Sequence, residues 1–299
     1  MSLRRSLFAA ASGAFALVGL FAASPAQAVP IFALNTANQL YSFDSAAPGS
    51  ATLIGTINLG GASALGIDLR TSDGLLYTLG SNGTIYTVST TTAAATVFST
   101  PAGLAAALTG TANAYSIDFN PVPNALRIIN SSGQNLRITN SAGTTNLSTL
   151  NTDGNYTGVA VIGTAYTNSA PGAATTTQYV IDDTTDSLVL VNTPNAPSGA
   201  VTTVGPLGVA VSGIVGFDIS FVGGVNTAYL ASGSTLYTVN TTSGAATNVG
   251  ALTTAAGVSL GTVRGLAAPI TAAPEPGTFA LAGVGLLGLA GIARRRKAA

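Results

Sequence analysis

Short alternations of apolar and polar residues recur along the chain, and one of them returns five times: LYSFD from Leu40, IYTVS from Ile85, LRITN from Leu136, QYVID from Gln178 and LYTVN from Leu236. Period-two alternation puts successive side chains on opposite faces, as in a β-strand. A turn and a further strand follow most of these runs, as in APGSATLIG from Ala47, TTAAATVFS from Thr91 and TSGAATNVG from Thr242. A second marker precedes them: LGIDL from Leu65, YSIDF from Tyr115, VGFDI from Val215, more faintly VAVIGTAY from Val159, and VRGLA from Val263.

Each unit therefore reads as four short strands, repeating about every fifty residues, which is the arithmetic of a propeller blade. The first unit lacks its opening strand, and VRGLA is an opening strand with nothing after it. The two fragments complete one blade. The expected fold is an all-β, five-bladed propeller over residues 29–270, closed by joining the two ends of that stretch.

Composition agrees with tight turns and close-packed strands: 47% of residues are hydrophobic, only 7% are charged, and 36 are Gly. Long amphipathic helices would need Lys, Arg and Glu on their wet faces. The ends read differently from the middle. Residues 1–28 carry Arg4 and Arg5, then an uncharged apolar stretch, then Ala26-Gln27-Ala28, the small-x-small site of a secretory signal. At the other end, 18 uncharged residues separate Glu275 from Arg294, about 27 Å as a helix and close to the thickness of a bilayer's hydrocarbon core. A single transmembrane helix is expected over 277–293, with Arg294, Arg295, Arg296 and Lys297 on the cytoplasmic side and the body outside. Gly283-x-Gly285-x-x-Gly288 matches a dinucleotide-binding pattern, but it lies inside this span and lacks the strand and acidic residue that the motif requires.

Pro274-Glu275-Pro276, the Gly-rich span and the terminal basic cluster, in that order, resemble the PEP-CTERM sorting signal over the tail 271–299. The resemblance implies an exosortase-type membrane protease as partner, cutting near Pro-Glu-Pro. The chain would first be anchored in the inner membrane and then pass to the cell surface or beyond. The strings SIDFNPVPNALRIINSSGQNLRI from Ser116 and AYTNSAPGAATTTQYVIDDTTDSLVLVNTPNAPSGAVTTVGPLGV from Ala165 resemble the bacterial family known as domain of unknown function 4394, whose members are exported. It departs from that family at Thr193–Gly199, which reads as a lengthened turn.

Between the two ends the chain has no His, Cys, Lys or Glu. Triads built on His, Ser-Lys dyads, Schiff-base lysines and zinc sites are thereby excluded. Four arginines against nine aspartates give the body a net charge of minus five, so nucleic acid is excluded as a partner. Asp68, Asp118 and Asp218 occupy one place in three units. They read first as acceptors for turn N–H groups and second as a partial ring of channel carboxylates, able to hold a cation or face a sugar. Asp182, Asp183 and Asp186 are Ca²⁺ candidates of weak pattern, since the D-x-D-x-D-G spacing is missing; a solvated turn is the simpler reading. Repeat-position Tyr41, Tyr86, Tyr179 and Tyr237 read as packing between blades, and Arg137 replaces Tyr in the third unit.

The expectation is an exported, non-enzymatic surface or matrix protein that binds or structures exopolysaccharide and carries no obligatory cofactor. One alternative is an Asp-dependent enzyme acting on envelope carbohydrate, which would need two channel carboxylates about 5–9 Å apart. The other is a Ca²⁺-stabilised scaffold.

Overall fold

Among the residues described by the computed structural model, 29–109, 115–192, 199–211 and 213–270, twenty strands pair antiparallel in five sheets of four. The signal with Ala26 and Ala28, the sorting tail from 271 with Pro274 to Lys297, and residues 193–198 of the lengthened turn lie outside the described residues. No helix among the described residues is long and apolar enough to cross a membrane.

Strands are numbered in chain order, and each sheet is a blade. Blade 2 holds β4 (Ala64–Leu69), β5 (Leu76–Gly80), β6 (Ile85–Val88) and β7 (Ala95–Ser99). Blade 3 holds β8 (Tyr115–Asn120), β9 (Ala125–Asn130), β10 (Asn135–Asn140) and β11 (Leu147–Thr152). Blade 4 holds β12 (Val161–Tyr166), β13 (Gln178–Asp182), β14 (Ser187–Val191) and β15 (Val201–Pro206). Blade 5 holds β16 (Val215–Val222), β17 (Val225–Ser232), β18 (Thr235–Val239) and β19 (Ala246–Ala251). Blade 1 begins with β1 (Pro30–Asn35), β2 (Gln39–Asp44) and β3 (Ala47–Thr56) and takes β20 (Val263–Ala267) as its innermost strand. The pairing runs from Phe32 opposite Ala267 to Asn35 opposite Val263, so the two ends of the described chain close the ring as expected.

The first strand of each blade lies innermost, and β4, β8, β12, β16 and β20 touch in succession around the centre. All but the last two residues of β16 are buried in these five strands. Their sequences explain how close they come. Gly66, Ser116, Gly163, Gly216 and Gly265 occupy the same layer. A Cβ added to Gly216 would sit 2.9 Å from Leu266 Cγ and 3.0 Å from the Gly265 carbonyl carbon. Blade 3 has Ser116 in this layer instead, and its Oγ accepts the N–H of Thr164 at 3.1 Å.

Hydrophobic packing falls at the boundaries between blades. Tyr41 packs in a cluster joining blades 1 and 5, Tyr86 in one joining blades 1 and 2, and Tyr237 in one joining blades 4 and 5. The boundary of blades 3 and 4 has the smallest of the five clusters, built on Ile129, Tyr156, Val161, Val180, Val189 and Val191. One sequence assignment needs correction. QYVID forms the second strand of its blade, not the third, so Tyr179 is not equivalent to the other three tyrosines; the third strand is Ser187–Val191, with Val189 in their place. Its β-branched residues alternate without the Tyr marker, which hid it. The bulge confirms the equivalence: register against the outermost strand slips after Leu40, Ile85, Leu188 and Leu236, immediately before Tyr41, Tyr86, Val189 and Tyr237.

Candidate functional site

Two residues past the glycine layer, the inner strands carry Asp68, Asp118, Ala165, Asp218 and Ala267. The three aspartates meet at the centre of the ring, with a carboxylate oxygen from each lying within 4.8 Å of the others. They are only 5%, 2% and 4% exposed, so a chain of sugar cannot reach them.

Their partners are backbone N–H groups of the inner strands, which corrects the expectation of turn N–H groups. Asp68 Oδ2 accepts from Phe119 at 2.6 Å, Asp118 Oδ1 from Tyr166 at 3.3 Å and Asp218 Oδ2 from Ala268 at 2.6 Å. Each bond crosses to the next blade. Where the preceding blade offers only Ala267 or Ala165, the N–H at the same level turns to its own neighbour: Leu69 donates to Asp68 Oδ1 at 2.7 Å and Ile219 to Asp218 Oδ1 at 2.6 Å. Three carboxyl groups thus satisfy five N–H groups that no sheet pairing serves.

Burial raises the midpoints of all three, and repulsion from the neighbouring carboxylates adds to it for Asp68 and Asp118. Two like charges at this separation repel by about 3–4 kcal/mol at an effective dielectric near 20, and burial penalises each charge further. For Asp68, burial and then the charge of Asp218 push the carboxyl well above its ordinary value, against the N–H bonds of Phe119 and Leu69. Asp118 is pushed well up by burial and by Asp68 and Asp218. Asp218 is raised by burial to about 6, held back by its two N–H bonds and a hydrogen bond from Asp118.

A second polar cluster, missed by sequence reasoning, lies between blades 3 and 4. Asp118, Arg127 and Arg137 stand in one row across β8, β9 and β10. Arg127 is buried; it pairs with Asp153, donates to Asn135 Oδ1 at 2.7 Å and gives its Nε–H to Tyr166 Oη at 3.1 Å. Arg137 holds both oxygens of Asp153, at 3.0 and 3.1 Å. Burial would raise the Asp153 carboxyl, but its hydrogen bonds from Arg137 and Arg127, and their charges, outweigh burial and lower it. Gln178 completes the cluster by donating to Tyr156 Oη and Thr164 Oγ1. This polar network fills the boundary where the apolar cluster is smallest. Arg137 in place of Tyr is its signal in the sequence, whereas an Asp-Gly pair such as Asp153-Gly154 reads as a turn.

The Ca²⁺ candidates do not come together. Asp182 accepts the N–H groups of Ala160 and Thr184 and the hydroxyl of Thr185, Asp183 accepts from Gly213 and Asp186 from Val211. These are loop-fixing bonds, and among the described residues only the central trio brings three carboxylates within 4.8 Å. Two open depressions indent the surface. One of about 290 Å³ is lined by Pro30, Ser42, Phe43, Asp44, Ser50 and Thr52; the other, about 410 Å³, lies between the 168–175 loop and Phe221 and has no carboxylate.

On the outermost strands Thr52, Thr96, Thr149, Thr202 and Thr247 are exposed, one in each blade. They stand opposite Ser42, Thr87, Thr139, Leu190 and Thr238. No charged residue occurs in any of the five outer strands.

Residues 39–267 match the model of a family described as Domain of unknown function (DUF4394), and residues 272–297 match the PEP-CTERM protein-sorting motif. No curated protein matches. Similar solved structures include an auxiliary nutrient binding protein from Bacteroides thetaiotaomicron VPI-5482, at 14% identity over 67% of this chain and 56% of that one, with a TM-score of 0.39. The dihydro-heme d1 dehydrogenase NirN in complex with DHE follows at 11% identity over 73% and 42%, TM-score 0.34. PorZ, a surface component of the type-IX secretion system of Porphyromonas gingivalis, stands at 13% over 72% and 27%, TM-score 0.35. The chain spans between about a quarter and just over half the length of these three.

Proposed function

The chain belongs to the DUF4394 family, and from that premise, since the family description prescribes no reaction, we propose that it is a non-enzymatic propeller that binds or structures exopolysaccharide at the cell surface. The PEP-CTERM motif implies export and surface or membrane-associated sorting by an exosortase-type system. Binding of polysaccharide is supported by one observation above all: the exposed threonine repeated on the outer strand of every blade, on strands without charge. Hydroxyl rows spaced round a rim offer several weak hydrogen-bonding sites to one long polymer, whose repeat units engage them together.

Catalysis finds no support in the same geometry. The three clustered carboxyl groups are buried and bonded to backbone N–H groups, whereas a glycosidase needs two accessible ones with room between them for sugar or water. The reading is tested by mixing the protein with its host's own exopolysaccharide and following co-sedimentation together with new reducing ends. Co-sedimentation without new ends is the expected result. Absence of co-sedimentation sinks the reading, and new ends that vanish on Asp68, Asp118 or Asp218 substitution replace it with the enzyme.

A further inference from the structure

Asp68, Asp118 and Asp218 each bring a carboxylate oxygen within 4.8 Å of the others at the centre of the ring, and five of their six oxygens accept the N–H groups of Leu69, Phe119, Tyr166, Ile219 and Ala268. Asp118 and Asp218 approach each other within this group, and their two carboxyl groups hydrogen-bond to each other. Carboxylate oxygens only accept, so a bond between two carboxyl groups requires one to keep its proton. We propose that a proton shared between Asp118 and Asp218 clasps the propeller's inner ring, and that losing it in neutral to alkaline surroundings loosens the closure between blades.

The clasp sits where five strands converge, so its state bears on every blade boundary. The charged and titratable groups around it have partners of their own. Just past β4, Arg70 pairs with Asp73 and is turned to Asn124, Tyr77, Asn140 and the Thr145 carbonyl. Opposite Asp118 on β9, Arg127 pairs with Asp153, which it shares with Arg137. On β12 the Tyr166 hydroxyl accepts from Arg127, and on β20 Arg264 donates to the Ala64 carbonyl. Tyr77 and Tyr229 stand opposite Asp68 and Asp218 in their sheets. Five N–H dipoles already point at the oxygens that a metal ion would need.

The sign of the effect follows from linkage. Groups whose folded midpoint is raised bind more protons folded than unfolded, so their stabilisation is complete below the unfolded value of 3.8 and is lost as pH rises through the folded one, about 6 for Asp218. All three members shift in this direction. With no His, Cys, Lys or Glu in the body, aspartate is the side chain left to answer pH near neutrality there. The clasp is therefore the natural pH response of an exported protein that lacks histidine.

Thermal unfolding of the full chain in detergent micelles, from pH 5 to 8, tests it, with proton release on unfolding read by an indicator dye at pH 6. A Tm that falls as pH rises, with protons released, is expected. Asp118→Asn keeps the acceptor for Tyr166 and offers an amide donor to Asp218, so it should make the profile shallower and reduce the release to the share of Asp68 and Asp218. A flat or rising Tm in the native chain, no proton release, or an unaltered slope in Asp118→Asn overturns the proposal. Should that variant fail to fold, proton release by the native chain decides alone. A Tm set by added Ca²⁺ at every pH, and reversed by chelator, also overturns it.

Discussion

Asp68 Oδ2 accepts the N–H of Phe119 at 2.6 Å, 51 residues along the chain and one blade further round the ring, while Oδ1 takes the N–H of Leu69. Inner strands of neighbouring blades share no sheet, so their backbone groups at this level depend on side chains. One carboxyl group here does for two strands what a ladder of hydrogen bonds does within a blade.

Asp68→Ala leaves both N–H groups buried without an acceptor. At about 1–3 kcal/mol for each, urea unfolding should show a loss of about 2–6 kcal/mol. Asp68→Asn keeps one acceptor and should lose less. Equal stability of the alanine variant and the native chain would show that the staple is not needed.

Arg127 and Arg137 share Asp153 but differ in burial, with the first enclosed and the second about a quarter exposed. Removing Arg127 strands Asn135, Tyr166 and part of Asp153 in a dry boundary, so Arg127→Met should cost about 3–5 kcal/mol. Arg137→Met leaves Asp153 its buried partner and should cost about 1 kcal/mol or less. Denaturant titration of the two variants side by side checks the order; a larger loss for Arg137 would reverse the assignment of the anchor.

Much of this architecture was legible as repetition. The D of LGIDL, YSIDF and VGFDI marked three inner strands, and VRGLA marked the strand that closes blade 1, because backbone spacing round a ring forces the same residue types into the same places. What failed was β14, where Val189 replaces the marker tyrosine and QYVID drew the assignment one strand inward. The staples were illegible for a different reason. Nothing in Asp68 or Phe119 says that their strands converge, since that contact is fixed by the glycine layer of five separate segments. Likewise nothing next to Asp153 in the sequence points to its partners, Arg127 and Arg137, which approach it only after three strands have paired.

The acid limb of stability should come from Asp153. Its folded carboxyl lies below the ordinary value of 3.8, so its contribution is present above that pH and is lost as pH falls through the folded midpoint. Together with the central trio, this predicts greatest stability between about pH 4 and 6. In Arg127→Met the acid loss should shrink, as Asp153 then keeps only Arg137. Midpoints in urea measured from pH 2.5 to 5 check it; an acid limb of unchanged size would assign the loss elsewhere.

Exposed threonines on the outer strands bear on binding and not on folding. Replacing Thr52, Thr96, Thr149, Thr202 and Thr247 together by Val removes the rim hydroxyls while keeping shape and β-propensity. Each change should shift stability by less than about 0.5 kcal/mol. Co-sedimentation with exopolysaccharide should fall at least tenfold, since weak contacts at five places act together. Undiminished binding would move the polymer to another surface.

Closure through β20 makes the strongest demand on the chain. Ending it before Val263 removes the innermost strand of blade 1, exposes Ile31, Ala33 and Tyr41, which cluster with Val263, Leu266 and Ala268, and takes the Ala268 N–H from Asp218. β1 would then present an unpaired edge at the centre of the ring, where water cannot be admitted without parting the blades. The shortened chain should show no cooperative thermal transition. A peptide of residues 263–270 added in trans should restore one, because it supplies the missing strand without a covalent link. A cooperative transition in the shortened chain alone would mean that four complete blades hold the ring without its clasp.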